Sequence, residues 1–292
     1  LLSRWAGDVY VYNTAGEGWT YFGAIGYEPE GSKHAMNLSL LGAGQWHHQR
    51  DVWVSIRDYE YFGEEGIDQR WNSNGGTLNG EEFNMRRNFY NKPLATFNWD
   101  WQITENLALN TSVYGSAGRG GGTGPRGRNY DVLPYQQDLY DFLSVEDTSG
   151  NVIGVEPGEY RNEDFSINYD AIADDNQSGA LTHDGSVNSN YEGALIGSNS
   201  YSDSTIYRSG MIRRASMNSH DWVGAISNLE YTKDNLRASV GIDLRNYKGY
   251  HYRALNNLMG FDAYYSGGNR NASGGMIIDG ESTIEASPFN DT

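Results

Sequence analysis

The residues whose types could support chemistry stand in a few short segments of this chain. His47 and His48 are adjacent, and neighbouring side chains of an extended strand leave opposite faces. Two metal ligands on one strand face need a spacing of two, so we favour hydrogen bonding over a metal site for this pair. A second segment offers oxygen ligands for calcium: Asp170, Asp174, Asp175, Asn176 and Asp184. It lacks the pattern of an EF-hand, so a calcium loop and a solvated acidic loop both stay open.

Sequence patterns for catalysis and for phosphate binding are missing. The glycine-rich run Gly118 to Gly124 lacks the Gly-Lys-Ser/Thr ending of a phosphate loop, and we interpret it as a flexible exit from a strand into a loop. The spacing of Glu64, Glu65 and Asp68 favours solvation over glycoside hydrolysis, and no Ser-His-Asp set stands out. We therefore expect no enzyme activity and no cofactor.

Composition narrows the class of protein. The 292 residues include no cysteine, which excludes disulfides and thiolate metal sites. No run approaches the roughly eighteen apolar residues of a membrane-spanning helix. A net charge of −17 argues against nucleic acid as a partner. The content of 22 Tyr, 8 Trp and 37 Gly suits strands, aromatic belts at membrane interfaces and irregular loops.

The elements that must position these residues are β-strands. From Leu236 to Arg245 apolar and polar residues alternate without a break, which is the period of a strand with two different faces. The alternation recurs in pairs of strands, and it predicts hairpins over about 17–46, 93–117 and 220–253. The expected turns are Glu28 to Lys33, Thr104-Glu105 and Lys233-Asp234.

Long polar segments separate the hairpins, and we expect extracellular loops at 47–91, 120–219 and 254–292. Short turns on one side and long loops on the other are typical of an outer-membrane β-barrel. Six strands cannot close a barrel, since about eight is the smallest number. We therefore expect an open arc of a larger antiparallel barrel, whose remaining strands lie outside this sequence. A soluble antiparallel sandwich is the alternative fold.

The alternation also assigns side chains to the two faces of the expected barrel wall. One set is expected to face lipid: Phe97, Trp99, Leu107, Leu109, Val240 and Ile242. The other set is expected to face the lumen: Asn98, Asp100, Asn110, Ser112, Arg237 and Asp243. A register slip of one residue would reverse every face, so the pattern specifies the register strongly.

Five segments, in order, resemble segments of TonB-dependent outer-membrane receptors of the Bacteroidota type. They are GAGQWHHQR at 42–50, NFYNKP at 88–93, GRGGGTG at 118–124, HDWVGAISNLEY at 220–231 and GIDLRNYKGYHYRALNNLMG at 241–260. The first is similar to the family's GAPQxHxQR and the second to its NFYHKP. Gly44 stands where the family has Pro, and we expect this difference to alter only a local bend.

The resemblance implies a barrel of about 22 strands with an N-terminal plug, located in the bacterial outer membrane. Such a receptor imports a scarce nutrient (a siderophore, an oligosaccharide or a peptide) with energy delivered by TonB. The implied partners are outer-membrane lipid, the nutrient, and the TonB complex acting through the plug, which this sequence lacks. A surface lipoprotein partner stays open.

Ten polar residues are our candidates for facing the lumen or a ligand: Gln45, His47, His48, Arg50, Asp100, Arg119, Arg237, Asp243, Arg245 and His251. For Arg237, Asp243 and Arg245 we favour pairing with neighbouring strands over direct ligand contact. The alternative function is a secreted β-rich glycan-binding or adhesin module, and an exported hydrolase is a third. A need for detergent separates the receptor from the other two.

Overall fold

Antiparallel β-sheet dominates the fold, as the alternation predicts. The computed structural model describes residues 1–7, 10–51, 56, 59, 68–127, 142–158, 160–178, 196–198, 208–266, 276–279 and 283–284. Within these residues the structure is all-β apart from one short helix. No helix in the described ranges is both long enough and apolar enough to cross a membrane.

The strands differ widely in length, and the longest have more than twenty residues. In chain order the elements are β1 (Leu2–Gly7), β2 (Gly16–Tyr27), β3 (His34–His48), β4 (Gly75–Leu78), β5 (Glu81–Asn84), β6 (Arg87–Asn91), β7 (Leu94–Thr104), β8 (Leu107–Gly127), β9 (Phe142–Glu146), β10 (Val152–Pro157), β11 (Ile167–Asn168), α1 (Tyr169–Ser178), β12 (Ile196–Ser198), β13 (Arg208–Ser209), β14 (Met211–Lys233), β15 (Leu236–Asn257), β16 (Ala263–Ser266), β17 (Met276–Asp279) and β18 (Thr283–Ile284).

One sheet contains all the long strands, in the order β1-β2-β3-β7-β8-β14-β15. Strand β6 lies beyond the start of β7, on the side away from the turns, and pairs there with both β3 and β8. Every neighbouring pair in this sheet is antiparallel. Strand β18 joins the main sheet beside β15, and the remaining strands form small separate sheets, β9 with β10, β4 with β5 and β11, and β12 with β13, β16 and β17.

The register of the main sheet places residues of like character in rows across the strands. One row is apolar: Ile25, Leu38, Phe97, Val113, Ala225 and Leu244. The next row, on the opposite face, is mainly polar: Gly26, Asn37, Asn98, Ser112, Ile226 and Asp243. We call the face of the first row the apolar face and the face of the second the polar face. Directly paired residues share a face, so the alternation of each strand adds up to a two-sided sheet.

The turns of the three hairpins lie side by side at one end of the strands of the main sheet. They are residues 28–33, Glu105-Asn106 and Asp234-Asn235. The second and third lie one residue later than we expected. The amide of Gln102 donates to the carbonyl of Lys33, and that of Thr232 donates to the carbonyl of Asn106, both at 2.8 Å. These bonds join each turn to the next.

The strands of the main sheet extend into the segments that we expected to be long loops, so these loops are shorter than predicted. Residues 47–48 belong to β3, 87–91 to β6, 120–127 to β8, 211–219 to β14 and 254–257 to β15. The ladder between β8 and β14 runs from Leu107 opposite Tyr231 to Gly127 opposite Met211. Antiparallel pairing along this ladder, interrupted at Asn218 and Ser219, accounts for the extension.

The glycine-rich run Gly118 to Gly124 is part of strand β8 and not a flexible exit. A β-carbon at Gly118 would lie 2.4 Å from Cε1 of His220, and one at Gly121 would lie 2.7 Å from the carbonyl oxygen of Ser216. At Gly120 it would lie 2.7 Å from Cβ of Tyr90 on strand β6. The glycines therefore allow close packing of the neighbouring strands and side chains.

A small subdomain, which we call the cap, stands within the expected loops and consists of β4, β5, β11 and α1. Its core side chains are almost fully buried: Phe83, Met85, Tyr160, Ile167, Tyr169 and Ile172. The side chain of Asn168 accepts a hydrogen bond from the amide of Ala171 at 3.0 Å and so caps the helix. Asp170, Asp174, Asp175 and Asn176 are therefore helical, which corrects the expected acidic loop; Asp184, Glu64 and Glu65 lie outside the described residues.

Asn84 at the end of β5 ties the cap to three distant segments. Its amide nitrogen donates to the carbonyls of Asn13 at 2.8 Å and Gln49 at 3.0 Å. Its own carbonyl accepts from Nη1 of Arg213 at 2.8 Å. The guanidinium of Arg213 also lies 4.0 Å above the ring of Phe83. The cap is thus attached both to the start of the sheet and to strand β14.

Among the described residues the main sheet stays open at both edges. Strand β1 pairs with β2 alone, and the outer edge of β15 pairs with β18 over Arg253 and Ala254 only. From Leu236 to Tyr252 the described structure gives that edge no partner.

Candidate functional site: the polar face of the main sheet

Strand register assigns most of the ten candidate residues to the polar face. Asp100 pairs with Ala35 and Asn110, and Arg237, Asp243, Arg245 and His251 alternate along β15. Gln45 and His47 continue the same face on β3. His48 and Arg119 fall on the apolar side, and Arg50 follows the end of β3.

The charged residues near the hairpin turns form ion pairs with neighbouring residues. Nε of Arg237 lies 2.5 Å from Oε1 of Glu230 on the adjacent strand. Nη2 of Arg245 lies 3.9 Å from Oδ2 of Asp243 on its own strand. These side chains are largely exposed, with only that of Glu230 more covered, so each pair adds little to stability.

Farther from the turns, four rings and one guanidinium form a cluster on the polar face that we call the aromatic patch. Its members are Tyr114, His220, Trp222, Arg245 and Tyr247. Ring centroids are 5.3 Å apart for Tyr114 and Trp222, and 6.0 Å apart for His220 and Tyr247. Nε of Arg245 donates to the hydroxyl of Tyr114 at 3.2 Å, and its guanidinium lies 5.5 Å from the Trp222 ring.

Two glycines make room for these rings. The ring of His220 occupies the space above Gly118, and that of Tyr114 occupies the space above Gly224. In each case a β-carbon would lie 2.4 Å from the ring. Because the rings replace side chains that the glycines lack, they lie close to the sheet surface.

The patch forms one wall of a cavity of about 590 Å³. Its other lining residues are Leu41, Lys92, Leu94 and Ser116. Lys92 and Arg245 are the lining cations, and no carboxylate lines the cavity, although Asp243 lies near Arg245. Stacked rings with nearby cations suit a ligand that has flat faces and hydrogen-bond acceptors.

Sequence reasoning named only Arg245 among the members of the patch. The available signal was an aromatic residue on an otherwise polar strand face, as at Tyr114 in β8. That signal does not say which rings meet, because the meeting depends on the pairing of Ser116 with Trp222, more than one hundred residues apart.

The candidates beyond the patch make local hydrogen bonds. Nδ1 of His48 lies 3.0 Å from Oε1 of Glu82 in the cap. Burial lowers the pKa of His48, and Glu82 opposes that effect by raising it. Nδ1 of His47 lies 3.2 Å from the carbonyl oxygen of His48, and Nη1 of Arg50 donates to the carbonyl of Gln69 at 2.8 Å.

His251 and Arg119 also contact polar neighbours, on opposite faces of the sheet. Nδ1 of His251 lies 2.7 Å from Oδ1 of Asn218. Nη1 of Arg119 donates to Oδ1 of Asp221 at 2.7 Å on the apolar side. The hydroxyl of Tyr250 donates to Oδ2 of the same aspartate at 3.0 Å.

A second cavity, of about 600 Å³, lies beside the ion pair of Arg119 and Asp221. Its lining includes Trp19, Tyr21, Gln45, Trp46, Arg87, Phe89 and Arg119. Of the candidates, it brings together only Gln45 and Arg119. In the described part of the chain, no three His, Cys, Asp or Glu side chains are grouped so as to hold a metal ion.

Comparison with known proteins finds no matching family model, no matching curated protein and no matching solved structure.

Proposed function

We propose that this chain is part of the wall of a TonB-dependent outer-membrane receptor that imports a scarce nutrient. The resemblance of five ordered sequence segments motivates the proposal. The structural observation that supports it best is the pair of rows that cross the main sheet, one apolar and one mainly polar. A barrel wall between lipid and a water-filled lumen needs that division on every strand.

The exposure of the apolar face favours a membrane over a soluble core. Val240, Ile242 and Leu244 on β15 are 57–68% exposed, and no described element covers them. A soluble sandwich would bury such a row beneath a second sheet. In an outer membrane, lipid covers it.

Aromatic side chains flank the apolar band in a way that fits a membrane. Near the turns, His34, Trp99 and Trp101 stack with ring centroids 5.6 to 5.9 Å apart. Trp19 and Tyr27 lie eight residues apart on the same face of β2, which is roughly 26 Å along the strand. A tilt of about 40° reduces this to about 20 Å, near the height of the apolar band of such barrels.

The chain contains no cysteine, so single cysteines carrying nitroxide labels can test the two faces. Labels at Val240 and Leu244 should collide more often with oxygen, which concentrates in lipid, than with a water-soluble nickel chelate. Labels at Ser239 and Asp243 should show the reverse preference. If all four labels prefer the nickel chelate in lipid vesicles, the apolar face is not in the membrane and the receptor proposal fails.

The aromatic patch is also compatible with the second candidate function, a secreted glycan-binding or adhesin module. Rings on a sheet surface stack on sugar faces in either setting, so the patch alone does not discriminate. Purification of the chain without detergent discriminates between the two functions. A monodisperse soluble protein would favour the adhesin, whereas precipitation that detergent prevents would favour the receptor.

A further inference from the structure

Three arginines meet on the polar face where β8, β14 and β15 approach the cap. Arg126 pairs with Ile212, and Arg253 pairs with Ser216, so each lies diagonally beside Arg214 on the central strand. Diagonal neighbours in antiparallel sheets are about 7–8 Å apart, within reach of side chains as long as arginine. We call these residues the arginine cluster.

The central arginine is partly buried and lacks acceptors. Nε and Nη1 of Arg214 are buried without a hydrogen-bond partner in the described residues. The pKa of Arg214 is lowered to about 10, mainly by burial and also by the charges of Arg253 and Arg126. No ion pair of the described residues includes any of the three.

A buried tyrosine adds another donor at the same place. Tyr264 on β16 is 2% exposed and packs against Ile212 and Phe261. Its pKa is raised to about 12, because burial outweighs the opposing effect of the nearby charges of Arg126 and Arg214. Its hydroxyl proton has no acceptor among the described residues.

Like charges that are partly removed from water cost free energy unless an opposite charge accompanies them. The chain carries 38 acidic and only 21 basic residues, so composition does not explain a group of arginines that have no ion-pair partner among the described residues. We infer that the arginine cluster and the Tyr264 hydroxyl form a binding site for a tetrahedral oxyanion, phosphate or sulfate. Guanidinium groups bind such oxygens in pairs, and the phenol supplies one further hydrogen bond.

The site adds a ligand preference to the proposed function. It rests on that function for one point only: that the anion is part of an imported nutrient. Its position on the polar face, the same face as the aromatic patch, would then give the receptor a preference for phosphorylated or sulfated ligands. Binding of the anion itself does not depend on transport.

Calorimetric titration of the purified full chain in detergent tests the site. The probes are inorganic phosphate, sulfate and glucose 6-phosphate, with acetate and glucose for comparison, all at one ionic strength set by NaCl. We expect saturable binding of the tetrahedral anions. Tighter binding of glucose 6-phosphate than of phosphate would identify an ester as the ligand, and the reverse would identify the free ion.

Substitutions separate the site from general charge effects. Arg253→Gln, at an exposed position, and Tyr264→Phe, which removes only the hydroxyl, should each weaken binding, the arginine change by roughly tenfold or more. Arg4→Gln is the matched control, because Arg4 is exposed, lies on β1 and pairs with Glu17 at 2.8 Å. It should leave binding unchanged.

Absence of saturable binding above the NaCl background would overturn the inference and would mean that the chain's own carboxylates neutralise the cluster. Equal losses in Arg253→Gln and Arg4→Gln would overturn it as well. Neither result would alter the lipid preference of labels at Val240 and Leu244, so failure of the site and failure of the receptor proposal can be told apart.

Discussion

The phenol ring of Tyr114 lies over Gly224 on the neighbouring strand. A β-carbon at position 224 would lie 2.4 Å from Cζ and from the hydroxyl oxygen of that ring. The same hydroxyl accepts a hydrogen bond from Arg245. The glycine therefore sets the height of the aromatic patch above the sheet.

Gly224→Ala should displace the Tyr114 ring and separate it from Arg245. We expect the free energy of unfolding to fall by about 1–3 kcal/mol, as for other overpacked sites, measured by denaturant titration. Gly23→Ala on β2 is the control, since no atom lies within 4 Å of a β-carbon there. That change should stay within about 0.5 kcal/mol of the parent. Equal effects would mean that the ring moves freely.

Val240→Arg tests the apolar face energetically. Val240 projects from β15 with 68% of its surface exposed, and in a bilayer that surface contacts lipid. An arginine near the bilayer midplane should cost about 2–4 kcal/mol of folding free energy in phospholipid vesicles. Ser239→Arg, one residue earlier on the polar face, should cost clearly less. Equal costs would contradict the assignment of faces.

Asn176→Ala should loosen the attachment of helix α1. The buried amide of Asn176 donates to the carbonyls of Met211 at 2.8 Å and Met259 at 2.7 Å, and it accepts from the amide of Met211 at 3.1 Å. Removing it leaves buried backbone groups without partners, so we expect a loss of about 2–4 kcal/mol. Thermal unfolding followed by circular dichroism measures the loss, and Asp174→Ala, exposed on the same helix, should cost little.

His48 should make stability depend on pH. Burial lowers the pKa of His48 in the folded chain below the ordinary value of 6.5. As pH falls through 6.5, the unfolded chain therefore binds a proton before the folded chain does, and the free energy of unfolding decreases.

Denaturant titrations between pH 8 and pH 5 can measure this dependence. His48→Gln should flatten it. Glu82→Gln removes a contact that raises the pKa of His48, so the loss of stability at low pH should persist. A parent protein whose stability rises as pH falls through this range would contradict the sign.

Hairpins were predictable because alternation is a local signal. Leu236 to Arg245 alternates without interruption, and β15 contains the whole segment. The continuation of β8 beyond residue 117 was not predicted, because Gly118, Gly120 and Gly122 have no side chains to alternate. Pairing with β14 and β6, which are distant in sequence, holds that part of β8 in the sheet.

The cap and the aromatic patch could not be predicted from the local sequence, for the same reason. Helix α1 has a polar sequence, and burial of Tyr169 and Ile172 against β5 residues makes it stable. The aromatic patch needs β8, β14 and β15 in one particular register. Polar-face candidates such as Asp243 and Arg245 were named from alternation alone, whereas Trp222 and His220 needed the pairing of strands.

The bonds of Asn84 close loops of very different length in the chain. Each hairpin closes between near neighbours in sequence, but the bond from Arg213 to Asn84 joins residues 129 positions apart. Contacts of such long separation form slowly, because a large loop must close first. The bonds from Asn84 to Asn13 and Gln49 span only 71 and 35 positions, so they close smaller loops. The attachment of the cap to β14 therefore carries the largest entropic cost of chain closure among the contacts of Asn84.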